Sequence, residues 1–311
     1  MQEGEMMKDA QVVQLAQLVD TSRPERVLDE VKKIFSIYYP SRDFSPVKKN
    51  FGIIVRVFRG LHRGYRACNT EYHNLGHTMD ALLATARLVD GRAMEGSPLD
   101  RRLVVNLFNA ALLHDTGYIQ EEWDTDGTGA KYTSNHVERS VLFLGKNGAD
   151  LGIDGADAAT VERLIRCTGL SVDLDTIDFS SEDERFAGCL LGTADLMGQM
   201  SDRAYLEKLI FLYNEFREAG IPGFNTEFDI LRKTVDFYEI TLARLKGPYM
   251  AVYELARPHF RARFSLDSNL YMDAITRHIA YLHKIIEDDS TNFRHKLKRG
   301  AWIHEAEQRH H

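Results

Sequence analysis

The sequence predicts an all-α fold, and three observations predict it. Apolar residues recur at three- and four-residue spacings along most of the chain, proline and capping clusters separate the periodic stretches, and strand signals are thin. The one segment that tempts a strand reading, Phe51 to Phe58, reads equally as a helix with Phe51, Ile54, Val55 and Phe58 on one face, and we take it as a helix.

In chain order, Val12, Leu15, Ala16, Leu18 and Val19 form a first apolar stripe. Val27, Leu28, Val31, Ile34 and Phe35 form a second after Ser22-Arg23-Pro24. Tyr39-Pro40-Ser41 breaks the chain, and Ser45-Pro46 opens the next helix with proline in its first turn. Helices are expected around 72–90, 100–113, 135–145, 157–168, 184–198 and 202–218, the third behind a capping cluster, Thr133-Ser134-Asn135. Between them run two acidic connections. Residues 117–130 are expected as a mobile rim beside a pocket, and residues 171–184 are the other loop. The first looks faintly like a calcium loop but lacks the ligand alternation and the closing glutamate. After Lys246-Gly247-Pro248 the chain enters a helical tail in which Tyr271, Ile275, His278, Ile279 and Leu282 share a face. The expected organisation is an N-terminal helical extension over 1–45, a central core over 46–246 and a C-terminal helical segment over 247–311.

Composition narrows the function classes. The 311 residues are enough for a sizeable core, and 44% apolar with 27% charged residues is ordinary for a soluble globular protein. A net charge of -7 argues against duplex nucleic acid as the main partner, though not against a small phosphorylated substrate whose charge a metal pair can meet. Cys68, Cys167 and Cys189 show no paired spacing, so reduced thiols and a cytoplasmic setting are expected. No run is apolar and long enough for a membrane span, and the first residues show no basic-then-apolar leader pattern.

The chemistry concentrates in Tyr72-His73-Asn74-Leu75-Gly76-His77, Leu113-His114-Asp115 and Thr193-Ala194-Asp195. His73 and His77, four apart, project from one face if both are helical. His114 and Asp115 supply a nitrogen and an anionic oxygen, the mix that zinc, iron or manganese accepts, and Asp195 would complete a set of two histidines and two aspartates. Asp195 lies in a small, apolar helical stretch, where a carboxylate is costly unless paired or metal-bound. The histidine spacing also matches HExxH metalloproteases, but Asn74 stands where their glutamate base is required. His62, His259, His278, His283, His295 and His304 read as packed or surface histidines.

Taken together, Tyr72-His73-Asn74-x-x-His77 and Ala110-Ala111-Leu112-Leu113-His114-Asp115-Thr116-Gly117 resemble the HD-domain superfamily of metal-dependent phosphohydrolases. The first segment resembles its class I cyclic-nucleotide phosphodiesterase branch. The resemblance spans about residues 50–245 and implies an HD-domain, phosphodiesterase-like helical bundle with two divalent metal ions (zinc, magnesium, manganese or iron). It implies that His77, His114, Asp115 and Asp195 hold one metal, that Asp115 bridges to a second, and that His73 protonates the leaving group. It further implies that His136 reaches the second metal, directly or through water, set against a structural histidine at a helix start. Tyr72 and Asn74 are expected to support the acid and the second-metal waters by hydrogen bonding and to contact the substrate. A useful acid needs a carboxylate neighbour, which the sequence does not identify.

The chain departs from the class I pattern at three places. Tyr118 stands where a further histidine is usual, Ser134-Asn135-His136-Val137 lacks the glutamate of the family's Glu-Asn-His-His stretch, and no purine-clamping glutamine stands near Thr234-Val235-Asp236-Phe237. The expected function is therefore phosphohydrolysis, with a nucleotide-type phosphodiester as substrate. A phosphomonoesterase or nucleotide hydrolase on the same site, and a non-catalytic metal-binding regulatory module, are the alternatives. Arg139 is a candidate phosphate contact, Gln199, Asp202, Arg203 and Tyr205 are candidate pocket residues, and Tyr213, Phe216, Phe228, Phe237 and Tyr238 read as core or as base-stacking residues. The terminal helices either pack on the core or make a homodimer.

Overall fold

Two helices form the axis of the molecule, buried on nearly every side. The computed structural model describes residues 13–288 and 292–297. In order, the helices are α1 (Leu15–Leu18), α2 (Pro24–Tyr38), α3 (Ser45–Phe58), α4 (Leu75–Met94), α5 (Arg101–Leu113), α6 (His136–Leu151), α7 (Gly155–Arg166), α8 (Glu182–Ser201), α9 (Tyr205–Glu218), α10 (Glu227–Lys246), α11 (Ala256–Phe264), α12 (Leu270–Glu287) and α13 (Phe293–Lys296). Most residues of α4 and of α8 are buried, as expected of helices surrounded by others. They pack along each other; α2, α5 and α11 cover α4, and α5, α7 and α12 cover α8.

The fold is all-α. Among the described residues the only strand-like pairings are two isolated bridges, Arg59 with Ala67 and Tyr65 with Glu121. Phe51 to Phe58 is helical, within α3, whose proline sits in the first turn. Val12 lies outside the described residues, and the remaining first stripe forms only the single turn of α1. The expected tail face is buried in α12, at Tyr271, Ile275, His278, Ile279 and Leu282. His304 lies outside the described residues. No helix among those described is long and apolar enough to cross a membrane.

One hydrophobic cluster runs from Val19 to Leu297, so the segments expected at either end share the core of the central part. A buried polar junction fastens them. The Asp90 carboxylate of α4 accepts from His259 Nδ1 (2.6 Å), from Arg263 Nε (3.0 Å) and Nη2 (2.8 Å), and from the Tyr38 hydroxyl (2.7 Å). It thereby joins α2, α4 and α11 at one point. Next to it, Gly91 lets the Leu255 carbonyl reach the helix backbone; a Cβ there would lie 1.9 Å from that oxygen.

Burial alone would raise the Asp90 pKa, but the bonds from His259, Arg263 and Tyr38 outweigh it and hold it at about 2. Its folded value lies below the unfolded one, so its contribution is present above pH ~4 and is lost as pH falls toward 2. Asp90→Ala should cost about 3–5 kcal/mol in urea titrations at neutral pH, because it strands the fully buried His259 and removes the partner of Arg263 at the surface. The same variant should show a shallower loss of stability between pH ~4 and ~2 than the parent protein.

Candidate metal centre

The donor set is assembled by helix ends as much as by helix faces. Asn74 caps α4: its Oδ1 accepts from Gly76 N–H (2.9 Å) and His77 N–H (3.3 Å), and its Nδ2 donates to the Glu71 carbonyl (2.6 Å). His73 therefore precedes the helix, which corrects the expectation that it shares a helical face with His77. Its ring still lies 5.9 Å from that of His77, nearly perpendicular to it. The cap occupies the whole Asn74 amide, and Asn74 is not among the residues lining the pocket described below.

His114 and Asp115 reach the same site because α5 stops at Leu113. Asp115 has left helical geometry (φ -108°, ψ 9°) and opens a tight turn, Thr116–Tyr118. The Ser140 hydroxyl of α6 fixes this corner, donating to the His114 carbonyl (2.5 Å) and accepting from Gly117 N–H (2.8 Å). Gly117 has no alternative here, since a Cβ would lie 1.9 Å from the His136 carbonyl oxygen. Asp195 comes from the middle of α8, one of the two axial helices.

These four side chains converge. His77 Nε2 lies 2.9 Å from Asp195 Oδ1, 3.2 Å from Asp115 Oδ2 and 3.2 Å from His114 Nε2. His114 Nε2 lies 3.4 Å from Asp115 Oδ2 and 3.5 Å from Asp195 Oδ1. His77, His114 and Asp115 offer donor atoms within 4.8 Å of one another. His114 Nδ1 donates to the Ala111 carbonyl (2.9 Å), which leaves the Nε2 lone pair facing the cluster. His77 lacks such a partner, its Nδ1 being buried without one.

The residues fit a divalent cation. Asp115 Oδ2 and Asp195 Oδ1 are buried and make no hydrogen bond, although imidazole nitrogens stand close by. With neutral imidazoles and a hydrogen shared between the two Nε2 atoms neither carboxylate is satisfied; either protonated imidazoles or one cation held by all four donors would satisfy both. The nitrogen and carboxylate mix suits zinc, iron or manganese. As protein alone, the cluster compensates itself by protonation. Burial opposes the charged imidazole of His77, but Asp115 and Asp195 outweigh it and push the pKa up to about 9. His114 is raised likewise against burial, and the two imidazoles hold both carboxylates well below their usual range despite burial.

The other oxygen of Asp115, Oδ1, faces away toward His136 Nε2 at 3.9 Å. His136 Nδ1 donates to the Thr133 carbonyl (2.8 Å), so Nε2 again carries the lone pair. Burial lowers the His136 pKa. The Tyr118 ring packs against both His73 (4.4 Å) and His136 (4.7 Å), whose own rings lie 6.1 Å apart, and its hydroxyl is buried without a partner.

Beside this cluster, His73 Nδ1 pairs with Glu215 Oε2 at 2.7 Å, and Glu215 Oε1 accepts from the Tyr72 N–H (2.7 Å). Glu215 is the carboxylate neighbour that the sequence left unidentified. The Tyr72 hydroxyl donates to Gln199 Oε1 (2.8 Å). A cavity of about 470 Å3 opens over these groups, and Tyr72, His73, His77, Asp115, His136 and Asp195 are part of its lining. An apolar group, Leu209, Leu212, Phe216, Phe224, Ile230 and Phe237, also lines it, and Lys233 is the one Lys or Arg of the lining among the described residues. Lys233 Nζ sits 4.6 Å from the Phe224 ring centre.

Several expected pocket residues lie elsewhere. Arg139 is spent on the Gly117 and Ile119 carbonyls and on Glu121, over the face of Tyr132, so it does not meet the cavity. Residues 117–130 are not a loose rim. Gln120 ties Asn69 to the Asp126 carbonyl, and Asp124 is paired with Lys131 and Tyr132. Only Tyr118 of that stretch lines the pocket; Gln199 and Tyr205 line it, while Asp202 and Arg203 line a different cavity. Phe216 and Phe237 reach the pocket, whereas Phe228 packs against Phe293 at a tilt of 43° and the Tyr213 hydroxyl donates to the Asn225 carbonyl.

Residues 120–272 match a family model described as Npun_R2479-like. That stretch contains His136, Asp195, Glu215 and the apolar part of the cavity lining. No curated protein matches the chain.

Gly117→Ala should push the His114-Asp115 corner away from α6. Thermal unfolding should show a loss of about 2 kcal/mol or more, with weaker divalent-metal binding by titration calorimetry. An unchanged metal affinity would show that the corner is not part of the donor set.

Proposed function

We propose that the chain is a divalent-metal-dependent phosphohydrolase acting on a phosphodiester of nucleotide type. The observation that carries this reading is the pair of buried carboxylate oxygens, on Asp115 and Asp195, that face two imidazole nitrogens without a hydrogen bond. Buried carboxylates so placed call for a cation. His77, His114, Asp115 and Asp195 would hold one metal, and Asp115 Oδ1 with His136 would serve a second. When bound, such ions supply Lewis-acid polarisation of a phosphoryl oxygen and activation of water.

The chain's own residues supply the remaining chemistry. His73 stands beside the donors without being needed as one, and Glu215 holds its Nδ1 so that Nε2 is the nitrogen left to give a proton. Nε2 protonating the departing alkoxide is therefore the role assigned to His73, with Glu215 positioning it. The Glu215 bond to the Tyr72 N–H keeps the carboxylate turned toward the imidazole. The apolar part of the lining would take the organic part of the ester and exclude water from it. A single lysine in the lining favours an ester with little phosphate charge over a polyphosphate.

His73→Ala should retain bound metal while kcat for an alkyl phosphodiester falls about 10²–10⁴-fold. Glu215→Gln should give a loss in the same direction, and the double variant should lose little more than His73→Ala alone. A p-nitrophenyl phosphodiester, whose leaving group needs no proton, should be far less affected by either change. Unaltered alkyl-ester turnover in His73→Ala would remove the acid assignment.

A further inference from the structure

We propose that Arg87, Arg203 and Arg277 form a second binding site, for the oxyanion group of a small carboxylate or phosphate-bearing molecule. The site is a cavity of about 530 Å3 lined by parts of α1, α4, α8 and α12, and it shares no lining residue with the pocket over the metal donors. Arg87 lies ten residues along α4 from His77, about 15 Å at the rise of an α-helix.

Arg87 is the central observation. It is 1% exposed, among the largest fully buried side chains, and no carboxylate among the described residues lies within ion-pair distance of it. Its Nη1 donates to the hydroxyl of Tyr271 (2.9 Å), a neutral partner, while Nε and Nη2 are buried with no acceptor. Those two nitrogens form the edge whose N–H groups run parallel and match the two oxygens of a carboxylate or phosphate. The rings of Phe260 and Tyr271, 5.3 and 5.6 Å from Cζ, compensate only part of the charge. A buried guanidinium left in this state is costly without an anion.

The surroundings favour the same ligand. Arg203 and Arg277 stand at the rim, exposed. Of the two carboxylates in the lining, Asp202 is already paired with Lys208. Burial first, and then the nearby Asp202, push the Asp80 pKa up to about 7, so Asp80 carries only part of its charge at neutral pH. The cavity is thus locally positive in a chain whose net charge is -7. Its outer wall includes Gln14, Leu15 and Ala16, and α1 buries none of its four residues, so entry displaces a lightly held segment.

Thermal unfolding of the full chain, with inorganic phosphate or malonate added at fixed ionic strength, tests the site. The parent protein should gain several degrees with at least one of the two anions; the more effective one identifies the group the site prefers. Arg87→Met should unfold no earlier than the parent protein in chloride, since it removes an uncompensated charge, and should lose the anion-dependent gain. Arg277→Ala, a rim change that leaves the core intact, should raise the half-saturating anion concentration about two- to fivefold. His114→Ala, which dismantles the metal donors, should keep the gain. The proposal is overturned if neither anion stabilises the parent protein, or if Arg87→Met and Arg277→Ala respond as the parent does. A gain lost in His114→Ala but kept in Arg87→Met would place the anion at the metal donors instead.

Discussion

Two buried carboxylates that no hydrogen bond satisfies, facing two imidazole nitrogens, are the constraint on which the centre of this structure turns. The Asp115 and Asp195 oxygens cannot stay charged there without positive charge between or beside them. Protons on His77 and His114 supply it in the protein alone, and a divalent cation would supply it with all four donors engaged. The packing serves that convergence. His77 and Asp195 are carried by the two helices that pack along each other at the axis, and His114 and Asp115 are delivered by the end of a third.

Around this cluster the polar groups are held in fixed roles. Ser140 and Gly117 lock the corner after α5, Asn74 locks the start of α4, and Glu215 locks the imidazole that lies outside the donor set. The pocket is therefore lined in part by hydrogen-bonded polar groups and in part by apolar side chains. Arg87 belongs to the same helix as His77 but to another cavity, so a ligand there and a metal here would bear on a shared element, α4.

The fold was largely legible in the sequence because helical periodicity and capping residues are local signals. Ser45-Pro46, the face of α12 and the segment 51–58 all read correctly from spacing alone. Residue types pointed to a site built from His73, His77, His114, Asp115 and Asp195, and the resemblance to HD-domain phosphohydrolases singled out His77 over His73 as the donor. Why they converge was not legible. The helical-face argument placed His73 inside α4, and the cap at Asn74 puts it outside; adjacent His114 and Asp115 meet the same site because a helix ends between Leu113 and the pair, which periodicity does not show. Glu215 was missed because its partner is 142 positions away in the chain. The only local hint was a carboxylate three residues after Leu212 and next to Phe216, on a face that turns inward. Arg87 gave no signal either, since an arginine in an amphipathic stretch ordinarily reaches solvent.

The most direct test of the central claim is elemental metal content per chain, measured on protein purified without chelators, with Asp195→Asn beside it. About two divalent ions of the zinc, iron or manganese class in the parent protein, with a marked loss in the variant, is the result this account requires. Protein that retains no metal, even after loading with zinc, manganese and iron, would contradict it. The buried cluster would then be an ion-paired structural core whose histidines carry their own protons.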